Sequence, residues 1–324
     1  MKFLVLKTKD PYLNLAVEEY LFLGSEDDIF MLWQNEPTVV IGKNQNAYAE
    51  INMDFIEKNR IHIARRITGG GAVYHDLGNL NYTFISSNKA KEGIDFEYFT
   101  RPIIEALASI GVVAELSGRN DLMAEGKKIS GNAQHTANGR TLHHGTLLFD
   151  SDLDVLSSAL KVDEEKIRAK GIKSTRSRVT NINAILGGKY TMEEFIELLS
   201  AHVISKYSPD IIDAPEAAEI DGLYRRNSSR EWIFPERELL SRYSLLKKKR
   251  YPFGIVEIYL DMSNDIIKDI KIRGDFFGVS PTEELEAMLV GIRLKEAEKK
   301  IEDIDIGEYI FGITNDIFLE QLTK

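Results

Sequence analysis

Residues 65–71 read RRITGGG, two adjacent arginines followed within three positions by three consecutive glycines. Absent side chains let a backbone approach a ligand and aim its N–H groups at an anion. Arginine suits bidentate binding of carboxylate or phosphate. The stretch therefore predicts a local anion site at Gly69, Gly70 and Gly71, with Arg65 or Arg66 supplying charge. It is not a common phosphate loop: the G-K-[ST] ending of a P-loop is missing, and Tyr74 stands where a dinucleotide fingerprint needs its third glycine.

In GRNDLMAEGKKISGNAQ (118–134), Asn120 and Asp121 offer oxygen ligands of the kind Mg²⁺ shares with phosphates. Lys127 and Lys128 open an expected strand, where side chains alternate faces, so one points into a site and the other to solvent. Spacing leaves the choice between them open. In HHGTLLFD (143–150), His144 and Thr146 share a strand face. Adjacent histidines face opposite ways and no third ligand accompanies them, which argues against a histidine metal site. The stretch AKGIKSTRSRVTN (169–181) holds Lys170, Lys173, Arg176 and Arg178 and no acid, as a lid over a polyanion would. KKKR (247–250) reads as a solvated linker, with docking of an acidic partner as the other reading.

The elements that must position these groups can be read coarsely. MKFLVL is a first strand, and residues 14–23 form a helix with Glu18 and Glu19 on the side away from its apolar face. Residues 29–34 and 38–42 are strands and 52–60 a short helix. AVYH and LNYTFI flank the turn DLGN, which predicts a hairpin with the glycines at its mouth. A helix over 95–110 closes at Gly111, VVAEL, the segment after Lys128 and TLLFD are further strands, and a capping box from Thr191 to Glu194 opens a helix to about 206. Beyond a boundary near 245–250 come a hairpin ending in IRGDFFG, a helix capped by Ser280 to Glu283 with Pro281 in first position, and a charged helical tail. Strands and crossover helices do not alternate, so the fold class is α+β with a mixed or antiparallel sheet, divided into 1–246 and a small α+β domain, 247–324.

Across 324 residues the net charge is −10, so nothing pulls the whole chain toward nucleic acid or an anionic membrane, and any anion site is built locally. There is no cysteine, which excludes disulfides, thiolate metal sites and a cysteine nucleophile. No stretch reaches the roughly 18 apolar residues of a membrane span, and the cytoplasm is the expected location.

Taken in order, NLAVEEYLF, LWQNEPTVVIGKNQNAYAEIN, ARRITGGGAVYHDLGNLNYTF, SGRNDLMAEGKKISGNAQ, HHGTLLFD and KGIKSTRSRVTNI resemble the lipoate–protein ligase A family over roughly residues 10–205. The tail looks like the family's small accessory domain. The resemblance implies a fold related to biotin ligases and class II aminoacyl-tRNA synthetases. It implies that lipoate and ATP with Mg²⁺ give lipoyl-AMP and pyrophosphate, and that the lipoyl group then passes to a lysine of a lipoyl domain. The implied acceptors are 2-oxoacid dehydrogenase E2 subunits and the glycine cleavage H protein, met by a monomer with no nucleic-acid or membrane partner.

By position, Arg66, Gly71, Ala72, Val73 and Tyr74 match the family's ATP and adenylate contacts. Lys128 matches the catalytic lysine that touches both the lipoate carboxylate and the α-phosphate, joined at lipoate by Arg66, Gly70 and His144. Asn120 and Asp121 match positions near Mg²⁺, His144 and Thr146 lesser pocket positions, and Lys173, Arg176 and Arg178 the loop that orders over the adenylate. His135 stands where some members carry arginine, and the segment from Asp121 to Lys128 is shorter than in some relatives. A lysine and Mg²⁺ offset the repulsion when a carboxylate attacks a phosphate, and no protein nucleophile is needed. That fits a chain without cysteine and separates it from octanoyltransferases and lipoyl amidotransferases, which use a cysteine thioester. The alternatives are a lipoyltransferase fed with preformed lipoyl-AMP and a noncatalytic module that binds lipoyl domains.

Overall fold

The computed structural model describes residues 1–87, 94–161, 178–235 and 242–324. Its centre is an eight-stranded mixed sheet in the order Asp210–Ile211, Lys2–Val5, Ile29–Trp33, Asn79–Ser87, Arg140–Leu148, Lys127–Ala137, Asp121–Ala124 and Glu115–Ser117. Lys2–Val5 runs parallel to both neighbours, and every other pairing is antiparallel. The long central strands are buried on both faces because helices cover both. Phe99, Ile103 and Leu107 from Phe96–Ser109 and Phe195, Leu199 and Val203 from Met192–Tyr207 pack on one side. Leu15, Leu21 and Phe22 from Pro11–Gly24 pack on the other, with Ile220.

Local chemistry sets the helix ends. The Asp10 side chain accepts from the Tyr12 and Leu13 amides, and Pro11 begins the helix, where its missing N–H has no partner to lose. The Thr191–Glu194 capping box forms in full. In the small unit the helix starts at Thr282, with Pro281 in the cap position and no side-chain cap, so Ser280 does not play the expected role. Among the described residues no helix is long and apolar enough to cross a membrane.

Three further sequence expectations fail here. Val73–His75 and Asn79–Ser87 are not a hairpin: the first joins a separate small sheet beside Thr38–Ile41, whose other neighbour is His62–Arg65, and the second enters the large sheet. The DLGN turn is pressed against residues 149–151, and a Cβ on Gly78 would lie 2.0 Å from the Asp150 carbonyl. Glu18 and Glu19 do not face solvent; they are 1 % and 7 % exposed. The helix is covered on both flanks, so polar residues in it need internal partners, and Glu19 finds Arg226. KKKR is no linker but part of the edge strand Leu245–Tyr251, where Lys247 donates to the Leu322 carbonyl and Lys248 and Lys249 pair with Glu257 and Glu320.

That strand, Gly254–Ser263 and Ile266–Gly274 form an antiparallel three-stranded sheet with its own core of Val256, Ile258, Ile272, Phe276, Leu285 and Phe318. The small unit docks on the glycine run. The Gly70 amide donates to the Phe276 carbonyl at 3.1 Å, and Gly274 N–H to the Asn44 carbonyl at 2.8 Å. Arg119 donates to the carbonyls of Phe253 and Asp275 and lies 4.6 Å over the Phe277 ring.

Candidate active site

Between the central strands, the glycine run and the small unit lies a cavity of about 650 Å³. Its wall holds the apolar Leu15, Trp33 and Val40 together with the cations Arg66, Arg119, Lys128 and Arg178.

The structure separates the paired candidates. Arg65 is 2 % exposed and bonds only inward among its described contacts, to the carbonyls of Gly42, Lys43, Gln45, Trp232 and Ile233. It is a structural cation. Arg66 lines the cavity and is buried; its Nη2 donates to the Gly69 and Gly71 carbonyls at 2.7 and 2.8 Å. Burial pushes its guanidinium down to about 10, against the pull of the Glu18 carboxylate, so it stays charged near neutral pH. Lys127 is exposed, whereas Lys128 lines the cavity with its Nζ 2.7 Å from Asp121 Oδ1. Strand alternation made the pair, and the sheet's position chose the member.

The three glycines divide their work. Gly71 lines the cavity, and a Cβ there would meet no atom within 4 Å. Gly69 and Gly70 face the small unit: their Cβ atoms would lie 2.5 Å from the Phe276 carbonyl and 2.7 Å from the Phe277 ring. Gly70 does not line the cavity, so its expected lipoate contact has no support in this geometry. Ala72, Val73 and Tyr74 do line it, and burial raises the Tyr74 phenol.

Asp121 and Asn120 also line the cavity. The Asn120 amide nitrogen donates to the Asn132 carbonyl, which ties the turn before Asp121–Ala124 to the strand Lys127–Ala137, and Asp121 is the carboxylate of the two. Among the described residues no three His, Cys, Asp or Glu side chains gather as a metal cluster. One carboxylate beside a phosphate site suits Mg²⁺, which keeps waters and substrate oxygens as its other ligands. Thr146 accepts from the Gly131 amide at 3.1 Å, and His144 lies between Thr68 at 2.9 Å and Glu18 at 2.9 Å. Arg178 lines the cavity, and Thr180 N–H holds the Lys128 carbonyl at 3.0 Å. Lys170, Lys173 and Arg176 lie outside the described residues.

Sequence reasoning missed Trp33, Glu18, Arg119 and Asp275, the last two of which line the cavity from opposite sides of the unit boundary. The one signal for Glu18 was a pair of carboxylates inside the largely apolar NLAVEEYLFL.

A cavity lined by both cations and apolar side chains fits a molecule with an apolar body and a carboxylate that must meet a polyphosphate. Such a lining suits the activation of a carboxylic acid. Residues 10–204 match the family model of the lipoyl protein ligase A/B catalytic domain, and residues 241–322 match that of the bacterial lipoate protein ligase C-terminus. The chain is 42 % identical over 326 residues to lipoate-protein ligase LplJ of Bacillus subtilis, covering 96 % of each. Its fold is similar to that of P. falciparum LipL1 solved with lipoate (TM-score 0.81, 24 % identity, 100 % of this chain and 98 % of that one). It is also similar to a lipoate-protein ligase A solved with ATP (TM-score 0.59, 29 % identity, 72 % of this chain and 98 % of that one). The chain belongs to the lipoate–protein ligase family.

Proposed function

We propose that both steps of an ATP-dependent lipoate–protein ligase run in this cavity. The lipoate carboxylate attacks the α-phosphate of ATP, and pyrophosphate leaves. The amine of an acceptor lysine then attacks the acyl carbon of lipoyl-AMP, and AMP leaves. The observation that carries the reading is that Lys128 and Arg66 line the same cavity as the apolar Leu15, Trp33 and Val40, in a chain of net charge −10.

Lys128 is the catalytic residue: a preorganised cation beside the incoming carboxylate and the phosphate lowers the barrier that their like charges raise. Arg66, with Gly71, Ala72, Val73 and Tyr74, holds the adenylate, and His144 lies on the lipoate side. Mg²⁺, when bound through Asp121, neutralises phosphate charge. Asp121 now pairs with Lys128, so metal and substrate binding would re-partner both groups. Residues 1–246 are the catalytic part and 247–324 the accessory part, although the first accessory strand begins two residues earlier, at Leu245. The setting is a cytoplasmic monomer acting on lipoyl domains of E2 subunits and the H protein.

The test is incubation of the pure protein with lipoate and MgATP and no acceptor. Pyrophosphate and lipoyl-AMP are expected. Their absence refutes the reading, and acceptor modification only from supplied lipoyl-AMP replaces it with a transferase.

A further inference from the structure

Arg66 reaches the cavity from its buried side, and the groups that orient it lie behind the wall. Its Nε–H donates to Thr68 Oγ1 at 2.9 Å. That oxygen is 2.9 Å from His144 Nε2, and His144 Nδ1 is 2.9 and 3.0 Å from the two Glu18 oxygens. From the apolar wall, the Trp33 indole N–H donates to Thr83 Oγ1 at 2.9 Å, and the Thr83 hydroxyl donates to Glu18 Oε1 at 2.6 Å. The indole nitrogen only donates, so Thr83 accepts from Trp33 and its hydroxyl proton goes to Glu18; a carboxylate only accepts, so His144 Nδ1 carries a proton toward Glu18. Thr68 accepts from Arg66, and in the Nδ1–H tautomer of the ring its own proton goes to His144 Nε2. That tautomer is the one Glu18 selects, because both of its oxygens face Nδ1. Glu18 is where the two chains end.

Such a carboxylate is costly. At 1 % exposure its desolvation penalty is several kcal/mol, and well-packed apolar replacements of buried ionic groups are often neutral or stabilising. Arg66, His144 and Trp33 line the cavity, but Glu18, Thr68 and Thr83 do not. Whatever Glu18 does for a substrate, it does through the residues in front of it.

We propose that Glu18 is a positioning residue for adenylation: it sets the His144 tautomer and so the Thr68 hydroxyl, which holds the Arg66 guanidinium at the glycine run. The proposal rests on the ligase reading above. Its rival is that Glu18 only pins its helix to the sheet.

Glu18→Gln keeps the shape but drops the charge and puts an NH₂ where only an acceptor fits. Pyrophosphate release should show kcat/KM for lipoate down by about 10–100-fold, the range for lost outer partners of a site, with a raised KM and little change in thermal midpoint. Thr68→Val cuts the chain in the middle and should cost a similar factor. In that background Glu18→Gln should add about twofold or less, because the two act as one unit. The same factor in both backgrounds, or an activity loss with unchanged KM that tracks loss of folded protein, overturns the proposal. Lipoate titration calorimetry on the same four proteins reads the coupling without turnover. Coupled lipoate binding in a wild type that releases no pyrophosphate would sink the ligase reading and leave the relay standing.

Discussion

Alanine placed singly at Gly69, Gly70 and Gly71 should give three different proteins. At Gly70 the backbone sits at φ +89°, and a Cβ would lie 2.7 and 2.8 Å from two atoms of the Phe277 ring. That ring is 1 % exposed, packed on Phe96 and covered by Arg119, so it has no room to swing aside. Left-handed backbone costs an L residue about 1–2 kcal/mol and overpacking about 1–3, so Gly70→Ala should lose roughly 2–5 kcal/mol. At Gly69 no positive φ is involved, and the Cβ meets the Phe276 carbonyl at 2.5 Å. The cost there is the overpacking alone, about 1–3 kcal/mol, relieved by displacing the small unit. At Gly71 a Cβ meets nothing and the backbone suits any residue, so Gly71→Ala should keep or raise stability by about 0.4–1 kcal/mol through the unfolded state. Its methyl enters the cavity, so ATP affinity should fall about tenfold or more, roughly 1.4 kcal/mol. Urea unfolding and ATP calorimetry on the three variants decide the matter. Gly71→Ala as unstable as Gly70→Ala, or binding ATP like wild type, would refute the division of labour within the run.

Lys128→Ala should lose about 3–4 kcal/mol of transition-state stabilisation, 10²–10³ in adenylation rate. It should stay folded, since its partner Asp121 is 36 % exposed; pyrophosphate release near wild type in a folded variant would remove Lys128 from the site. Arg65→Met should instead destabilise the fold by several kcal/mol, because the carbonyls it holds each cost about 1–3 kcal/mol when left unsatisfied in the interior; a wild-type thermal midpoint would contradict its structural role. Burial holds His75 at about 3 and His135 at about 4, and lowers His143, which is fully buried with neither ring nitrogen hydrogen-bonded among the described residues. The unfolded chain takes up these protons first, so their stabilising effect is complete above about pH 6.5 and is lost as pH falls from there toward about 4, each histidine contributing up to about 1.4 kcal/mol per pH unit. His143→Leu should remove one histidine's share of that slope in urea unfolding at pH 7, 6 and 5; an unchanged slope would count against it.

The elements that were legible had local causes. Asp95 accepts from the Tyr98 amide, and Thr191 and Glu194 cap each other, so the helices at 96 and 192 begin where short-range chemistry requires. The hairpin expected around DLGN failed for a nonlocal reason. The turn itself exists, with Asn79 N–H donating to the Asp76 carbonyl at 3.0 Å. Which sheet each flanking strand enters depends on Thr38–Ile41 and Ile29–Trp33, and alternation in one segment carries no information about its partners. KKKR misled for a related reason. Four adjacent cations read as solvated, yet on an edge strand Lys247, Lys248 and Lys249 each find an acceptor or acid within the small unit.

The same distinction runs through the site. Residue types announced an anion site at RRITGGG, but no spacing rule separates Arg65 from Arg66, or Lys127 from Lys128, since each pair offers the same charge. The fold separates them by what lies on each side. Arg65 faces the segment around Trp232 and Ile233, more than 160 residues along the chain, and Arg66 faces the cavity. Glu18 was misplaced because a helix with an exposed polar side was assumed, whereas Ile220 and Thr83 lie on the two flanks that bury it. Its position also shows why the error matters. A carboxylate on a solvated face would be free to vary, while one that terminates the bonds from both Arg66 and Trp33 couples the charged and apolar parts of one cavity wall. If the proteins differing at Glu18 and Thr68 bind lipoate with independent, additive losses, that coupling is absent, and the buried carboxylate is only a fastening between helix and sheet.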